Sequence, residues 1–450
     1  MTIPEGVSEP LSALAERALG IALDVAKKDG QKQVDVRVDA RRDADANVRF
    51  ARSGITTSGQ GDELSIKLWI GLGQRHASAS INQTDEAGMR SLATRAVTMA
   101  KLSPEDPERM PLLAPQTYVK VPSGYDDAVA AMGPTERAAV ATRAIAIGKA
   151  GNVKVAGFLE RAINEHVLHT STGLVASNKR TQVGYSLTAR TPDATGSGWA
   201  GRESYRFADI EDQALSKTAI DKAIKSASPK PLDPGKYTVI LEPQAVFELI
   251  DFMIQAMDQR SADEGRSFFA GKVGEKLLHE RVTIKSDPSD PLTPDTAYDA
   301  EGFALAPHTW IENGRVKDLA VSRYWAQKKN LRPTGGHGAY HLFGGKEASI
   351  DDMIKSTRRG LLVTRFWYNR WLDPQSVMIT GLTRDGVYLI ENGKVVRPVM
   401  NFRYNESPIT VLKNVDAMTK TTFRVLNGGS WRVPALRTNE FTMASTSAAV

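Results

Sequence analysis

The sequence predicts an α+β protein: an N-terminal α/β half with a mixed sheet and flanking helices, then a C-terminal, mainly antiparallel β half. Three observations lead there. Several long segments place apolar residues three and four apart, the period of a helix with one buried face. Other segments alternate valine or isoleucine with charged residues, the period of a half-exposed strand. In the first half the two patterns are interspersed, whereas past residue 280 they are mostly strands joined by Asn-Gly and Asp-Gly turns.

At 450 residues the chain exceeds one ordinary core. The expected division is an α/β module over 1–110, a meander and helix module over 111–230, and a C-terminal domain over 231–450. The boundary between the last two is the densest proline stretch, residues 228–235, with three prolines in eight residues.

The elements follow in order. Residues 11–28 form a helix with Leu11, Leu14, Ala15, Ala18, Leu19, Ala22 and Val25 inward, ended by Asp29-Gly30. Val34, Val36 and Val38 alternate with Asp35, Arg37 and Asp39 as a strand, and Val48 and Phe50 suggest a second. Strands 65–70 and 75–81 flank Gly71-Leu72-Gly73, a turn that lacks the third glycine and following helix of a nucleotide loop. Residues 85–102 form a helix capped by Thr84 or Asp85, and the prolines of 103–115 mark a linker. Gly133-Pro134 opens a helix to about 148. Strands are expected over 153–160, 162–170, 174–178 and 182–189, a mobile Gly/Ser-rich loop over 196–206, and a helix over 210–226.

Residues 237–241 read as a buried strand, stopped by Glu242-Pro243, and proline suits the first turn of a following helix. That helix aligns Val246, Leu249, Ile250, Met253, Ile254 and Met257 on one face, which makes it core. Beyond it come a strand at 281–285, an Asp/Pro loop at 287–295, a hairpin about Asn313-Gly314, a helix at 350–356 and a strand at 361–368. Strands 376–380, 387–390 and 395–402 are joined by Asp385-Gly386 and Asn392-Gly393.

Composition narrows the function classes. Hydrophobic residues make up 41% and charged residues 24%, as in a globular protein. No run of eighteen apolar residues exists, so no membrane helix is expected. The opening MTIPEGVSEP lacks the basic and apolar regions of a secretory signal. With no cysteine there is no thiolate chemistry, which fits a cytoplasmic location. The net charge of +6 is dispersed, without a groove-reading motif, so no direct nucleic-acid contact is expected.

Metal sites find little support. His166 and His169 lie three apart in a strand, on opposite faces. His279-Glu280 is not followed by the remainder of HExxH. The acids of 287–295 lack the glycine and closing glutamate of a calcium loop. His337 and His341 would share a helix face, but Gly335, Gly336 and Gly338 argue against a helix. A ligand-facing loop suits that stretch better.

The strand and helix at 237–260, the block TGLTRDGVYLIENGKVVRPVMNFRYNES and the ending PALRTNEFTMASTSAAV together resemble the TldD/PmbA family, on its PmbA side, also called TldE. The resemblance covers nearly the whole chain and is strongest after Pro234. In TldD members the helix carries HExxxH, whose histidines hold zinc with a late cysteine. Aligned without gaps from Val239, those three positions fall on Asp251, Phe252 and Ala256, and this chain has no cysteine. Zinc hydrolysis needs three protein ligands and an open position for water.

The resemblance therefore implies a degenerate metallopeptidase helix, no catalytic residue, and no cofactor in this chain. It implies zinc in a TldD-like catalytic subunit, a heterodimer with that subunit, and a peptide or unfolded-protein substrate in a shared chamber. An extended peptide can join a sheet edge through backbone groups alone, which leaves little motif. Arg365, Tyr368, His337 and His341 are the residues expected along the tunnel, with Asp251 beside the vacated zinc position. Two other readings stand: a self-contained metallopeptidase using His337, His341 and a carboxylate, and a homodimeric peptide-binding module. The family's older naming as a gyrase modulator meets no DNA-reading element here.

Overall fold

The structure is a computed structural model describing residues 9–347 and 349–447. Residues 1–8, most of the stretch read for a signal, and 448–450, the end of the C-terminal resemblance, lie outside the described residues.

Helix α1 (Leu11–Lys28) precedes strands β1 (Asp35–Ala51), β2 (Gly54–Leu72) and β3 (Arg75–Ile81), and α2 (Glu86–Leu102) follows. Asp85 caps α2, its carboxylate accepting the Gly88 N–H at 2.8 Å. Next come α3 (Asp127–Ala130), α4 (Pro134–Ala150), β4 (Lys154–Thr170), β5 (Val175–Arg190), β6 (Ser197–Ser204) and α5 (Asp212–Lys225). The strands form one six-stranded sheet ordered β3-β2-β1-β4-β5-β6. Every pairing in it is antiparallel, where a mixed sheet was expected. β1 pairs with β4 from Arg37↔Thr170 to Phe50↔Gly157, so the expected first and second modules share this sheet.

The strands are longer than the hydrophobic pattern suggested. Their middles are charged, and the expected breaks near Arg42 and Asp43 are continuous strand. Charges there pair across the sheet, as Arg42 does with Asp62 at 2.7 Å, and need no apolar partner. Even-numbered residues of β1 serve two cores on one sheet face. Val36, Val38 and Ala40 pack with α1 and α2, while Val48 and Phe50 pack with α4 and α5.

Most of the 196–206 stretch is also strand, β6 over Ser197–Ser204, where a mobile loop was expected. A Cβ on Gly198 would stand 2.2 Å from the Ala219 carbonyl oxygen. Glycine is needed there so that α5 can lie against β6.

The second half begins with β7 (Gly235–Leu241), α6 (Pro243–Ala256), α7 (Gln259–Asp263), β8 (Thr283–Ser286), β9 (His308–Glu312) and β10 (Arg315–Val316). It continues with α8 (Arg323–Lys329), β11 (Tyr340–Phe343), α9 (Ile350–Lys355), β12 (Arg359–Asp373), β13 (Met378–Glu391) and β14 (Lys394–Pro398). The last elements are β15 (Asn401–Glu406), α10 (Pro408–Lys413), β16 (Val415–Met418), β17 (Phe423–Arg424), β18 (Arg432–Val433) and β19 (Leu436–Ser447). One sheet is ordered β10-β9-β8-β11-β18-β17. The other runs β12-β7-β19-β15-β13-β14 and closes on itself where β13 also pairs with β12.

Val246, Leu249, Ile250 and Met253 of α6 enter one core with Val239, Val363, Phe366 and Phe441. Both Asn-Gly turns have left-handed backbone at each residue, with φ of 49° and 78° at 313–314 and 51° and 77° at 392–393. Asp385-Gly386, expected to be a turn, instead lies inside β13 opposite a register shift between Val363 and Arg365. Its φ values of 57° and 120° mark a bulge. Among the described residues no helix is long and apolar enough to cross a membrane.

Candidate functional site: a cleft beside helix α6

Pro243 starts α6, and its apolar stripe turns one face into the core. The three positions singled out above lie toward its C-terminal end. Asp251 accepts a hydrogen bond from the Gln255 side-chain amide at 2.6 Å. Burial raises its carboxyl above the usual range. Phe252 packs edge-on against Trp371, with ring centres 5.0 Å apart. Ala256 packs against the core, and its carbonyl accepts from the Ser267 hydroxyl at 2.6 Å.

Only one of the three positions offers a side-chain donor atom. Among the described residues no group of three or more His, Asp or Glu converges as a metal requires. This donor set does not fit zinc, which asks for three protein ligands.

Asp251 nevertheless lines a cleft of 580 Å³ between the two halves. Phe247 and Asp251 of α6 form one side, with Gln182 of β5 and Glu203 of β6 opposite. Tyr340 and Trp431 form an apolar wall, stacked at 4.9 Å with a 26° tilt. Phe247 meets Trp431 edge-on at 5.9 Å. Across the opening Arg180 pairs with Asp295 at 3.3 Å.

Two further charged groups face the cleft. Glu203 is only 2% exposed. Burial raises its carboxyl to about 6, against the opposing pull of Arg424, the Gln182 side chain and the Asn427 N–H. Arg424 donates from Nη2 to the Gly429 carbonyl at 3.2 Å. Its guanidinium pKa is lowered by burial, and Glu203 opposes that shift. The backbone beneath them is held by Gln244 of α6. Its side-chain oxygen accepts the Leu426 N–H at 3.1 Å, and its amide donates to the Leu426 carbonyl at 3.2 Å.

The residues expected along a tunnel are dispersed. His337 lines the cleft, but both its ring nitrogens are engaged. Nδ1 lies 2.8 Å from the Ser286 hydroxyl, which accepts from the Trp310 indole at 2.9 Å, and Nε2 lies 2.9 Å from the Thr334 carbonyl. Burial, with His308 nearby, lowers its pKa to about 4, so the ring is neutral. His341 sits on β11 next to Tyr340 and faces away from the cleft. It lies 3.3 Å from the Thr422 hydroxyl, and burial beside Arg432 lowers it to about 4.

Arg365 pairs with Asp385 at 3.4 Å and lies over the Trp199 ring at 4.8 Å, joining the two halves away from the cleft. Tyr368 is 61% exposed and stands beneath Arg370, outside the cleft. The earlier histidine pair also points apart, with His166 meeting Asp39 at 3.0 Å on the face opposite His169.

Sequence reasoning missed Glu203, Arg424, Tyr340 and Trp431. They come from separate segments, and the one local signal near them is the turn-rich Asn427-Gly428-Gly429 before Trp431.

Comparison with known proteins supports a family. Residues 234–445 match the PmbA/TldA metallopeptidase C-terminal domain. The chain is 26% identical over 270 residues to a metalloprotease of Methanothermobacter thermautotrophicus, covering 55% of this chain and 58% of that one. It is 27% identical over 213 residues to the metalloprotease PmbA of Escherichia coli O157:H7, covering 46% and 44%. The chain thus spans about half the length of these curated relatives. In fold it is similar to TldE from Thermococcus kodakarensis, with a TM-score of 0.85 at 18% identity, covering 95% of this chain and 99% of that chain. Its C-terminal domain belongs to the TldD/PmbA family, and the matched relatives support that assignment for the chain.

Proposed function

We propose that this chain is a non-catalytic, TldE/PmbA-like subunit that pairs with a zinc-bearing TldD-like chain and helps shape a peptide-binding chamber. The observation that carries the reading is the state of α6. At the three positions where the family resemblance places a zinc motif stand a carboxylate held by Gln255, an aromatic ring packed on Trp371, and an alanine. A helix so filled leaves no coordination sphere for a hydrolytic water.

The cleft supports the peptide part of the reading. It is concave, walled by aromatic rings and carries a few convergent polar groups, as sites for extended ligands do. Native mass spectrometry of the chain co-expressed with a TldD-like protein tests the pairing. A one-to-one complex holding one zinc, with the metal following the TldD-like chain on dissociation, is expected. Two unmixed homo-oligomers would contradict it.

A further inference from the structure

The cleft contains an electrostatic mismatch that the chain itself leaves unresolved. Among the described residues, Oε1 of Glu203 is shut off from solvent and has no hydrogen-bond partner. Nε and Nη1 of Arg424 are in the same condition. The two groups sense each other's charge, yet among the described residues they form no ion pair within 4.0 Å. Buried polar atoms without partners cost about 1–3 kcal/mol each, more when charged. Both side chains line the cleft, so a ligand bound there is the nearest source of the missing partners.

The charges restrict the filler. An anion at Arg424 would meet Glu203, with Glu160 behind it raising the carboxyl of Glu203 further. A cation at Glu203 would meet Arg424. A neutral group that accepts on one side and donates on the other satisfies both, and a secondary amide is such a group. Beside this pair, Tyr340 and Trp431 offer a stacked apolar surface. The cleft, at 580 Å³, has room for more than one residue of an extended chain.

We propose that the inner end of this cleft seats one peptide bond of an extended ligand, its C=O toward Arg424 and its N–H toward Glu203, with a neighbouring side chain laid on Tyr340 and Trp431. This rests on the peptide-binding part of the function proposed above but not on the pairing with a TldD-like chain. It is tested on the full chain alone, so failure of the pairing leaves it standing.

The test is isothermal titration calorimetry with a doubly capped tetrapeptide, acetyl-Ala-Phe-Ala-Ala-amide. An analogue in which esters replace the internal amides removes the N–H donors, and free phenylalanine serves as a zwitterionic control. The capped peptide is expected to bind, the ester analogue and the free amino acid at least tenfold more weakly. Glu203→Gln and Arg424→Met should each weaken the capped peptide by about tenfold or more, since each removes a charge-assisted hydrogen bond.

Thermal unfolding supplies a second readout. Each variant should still unfold cooperatively well above the temperature of the titration, which separates lost affinity from lost fold. Unchanged peptide affinity in both variants would overturn the proposal. So would a cleft that takes no capped peptide at millimolar concentration, or one that prefers free phenylalanine.

Discussion

At the residue scale, the charged side chains are organised mainly by what encloses them. Glu248 of α6 shows this most plainly. Its carboxylate accepts the Phe366 N–H at 2.6 Å and the Gln244 amide at 3.1 Å. Burial raises its carboxyl to about 7, Asp385 raises it further, and Arg365 pulls the other way. A carboxyl raised in the folded state is most favourable when protonated. Stability from this group is therefore fully present below its ordinary value of about 4.5 and is lost as pH rises to about 7. The full loss is on the order of 3 kcal/mol. Urea unfolding of Glu248→Gln beside the parent should show the parent losing ground across that window and the two curves running parallel above it. A parent without that extra slope would contradict the assignment.

The histidines were legible to differing degrees. The opposite facing of His166 and His169 follows from strand alternation alone. The glycines around His337 correctly spoke against a shared helix face with His341. The hydrogen bonds from Trp310 through Ser286 to His337 join three distant segments, and no local pattern announces them.

At the element scale, the central strand and helix were readable because Pro243 and one apolar stripe settle both start and facing. The long strands were not. Hydrophobic periodicity lapses where both sheet faces meet water or ion pairs, as it does around Arg42 and Asp62, although the backbone ladder continues. The glycines near β6 misled for a related reason. Glycine signals mobility in a loop but close approach in a strand, and only the position of α5 tells them apart. Gly198→Ala should therefore cost about 1–3 kcal/mol, because its Cβ would meet helix backbone that has little room to move. Gly265→Ala serves as the contrast. Nothing stands within 4 Å of its Cβ, so only its φ of 72° should be felt, and the loss should be about 1 kcal/mol. Thermal or urea unfolding of the pair checks this. Equal losses would mean that β6 and α5 can separate without consequence.

At the scale of the whole molecule, the two halves are joined by specific contacts that lie outside the cleft. Lys222 pairs with Glu242 at 2.6 Å, the Ser197 hydroxyl donates to Asp385 at 2.6 Å, and Arg365 lies over Trp199. Asp385 could not be foreseen in this role, because its Asp-Gly dipeptide reads as a turn and not as a bulge within a strand. The cleft was equally hidden, since its walls come from β5, β6, α6, β11 and the 424–431 segment. What the sequence did reveal was the family resemblance, carried by residues after Pro234.

In the proposed assembly the hydrolytic chemistry would come from the TldD-like chain. The decisive measurement is zinc content together with cleavage of an unfolded peptide, made on this chain alone and again after assembly with a TldD-like chain. Substoichiometric zinc and no cleavage are expected from the isolated chain, and both zinc and cleavage from the complex. One firmly held zinc per isolated chain, accompanied by peptide cleavage, would contradict the proposed role.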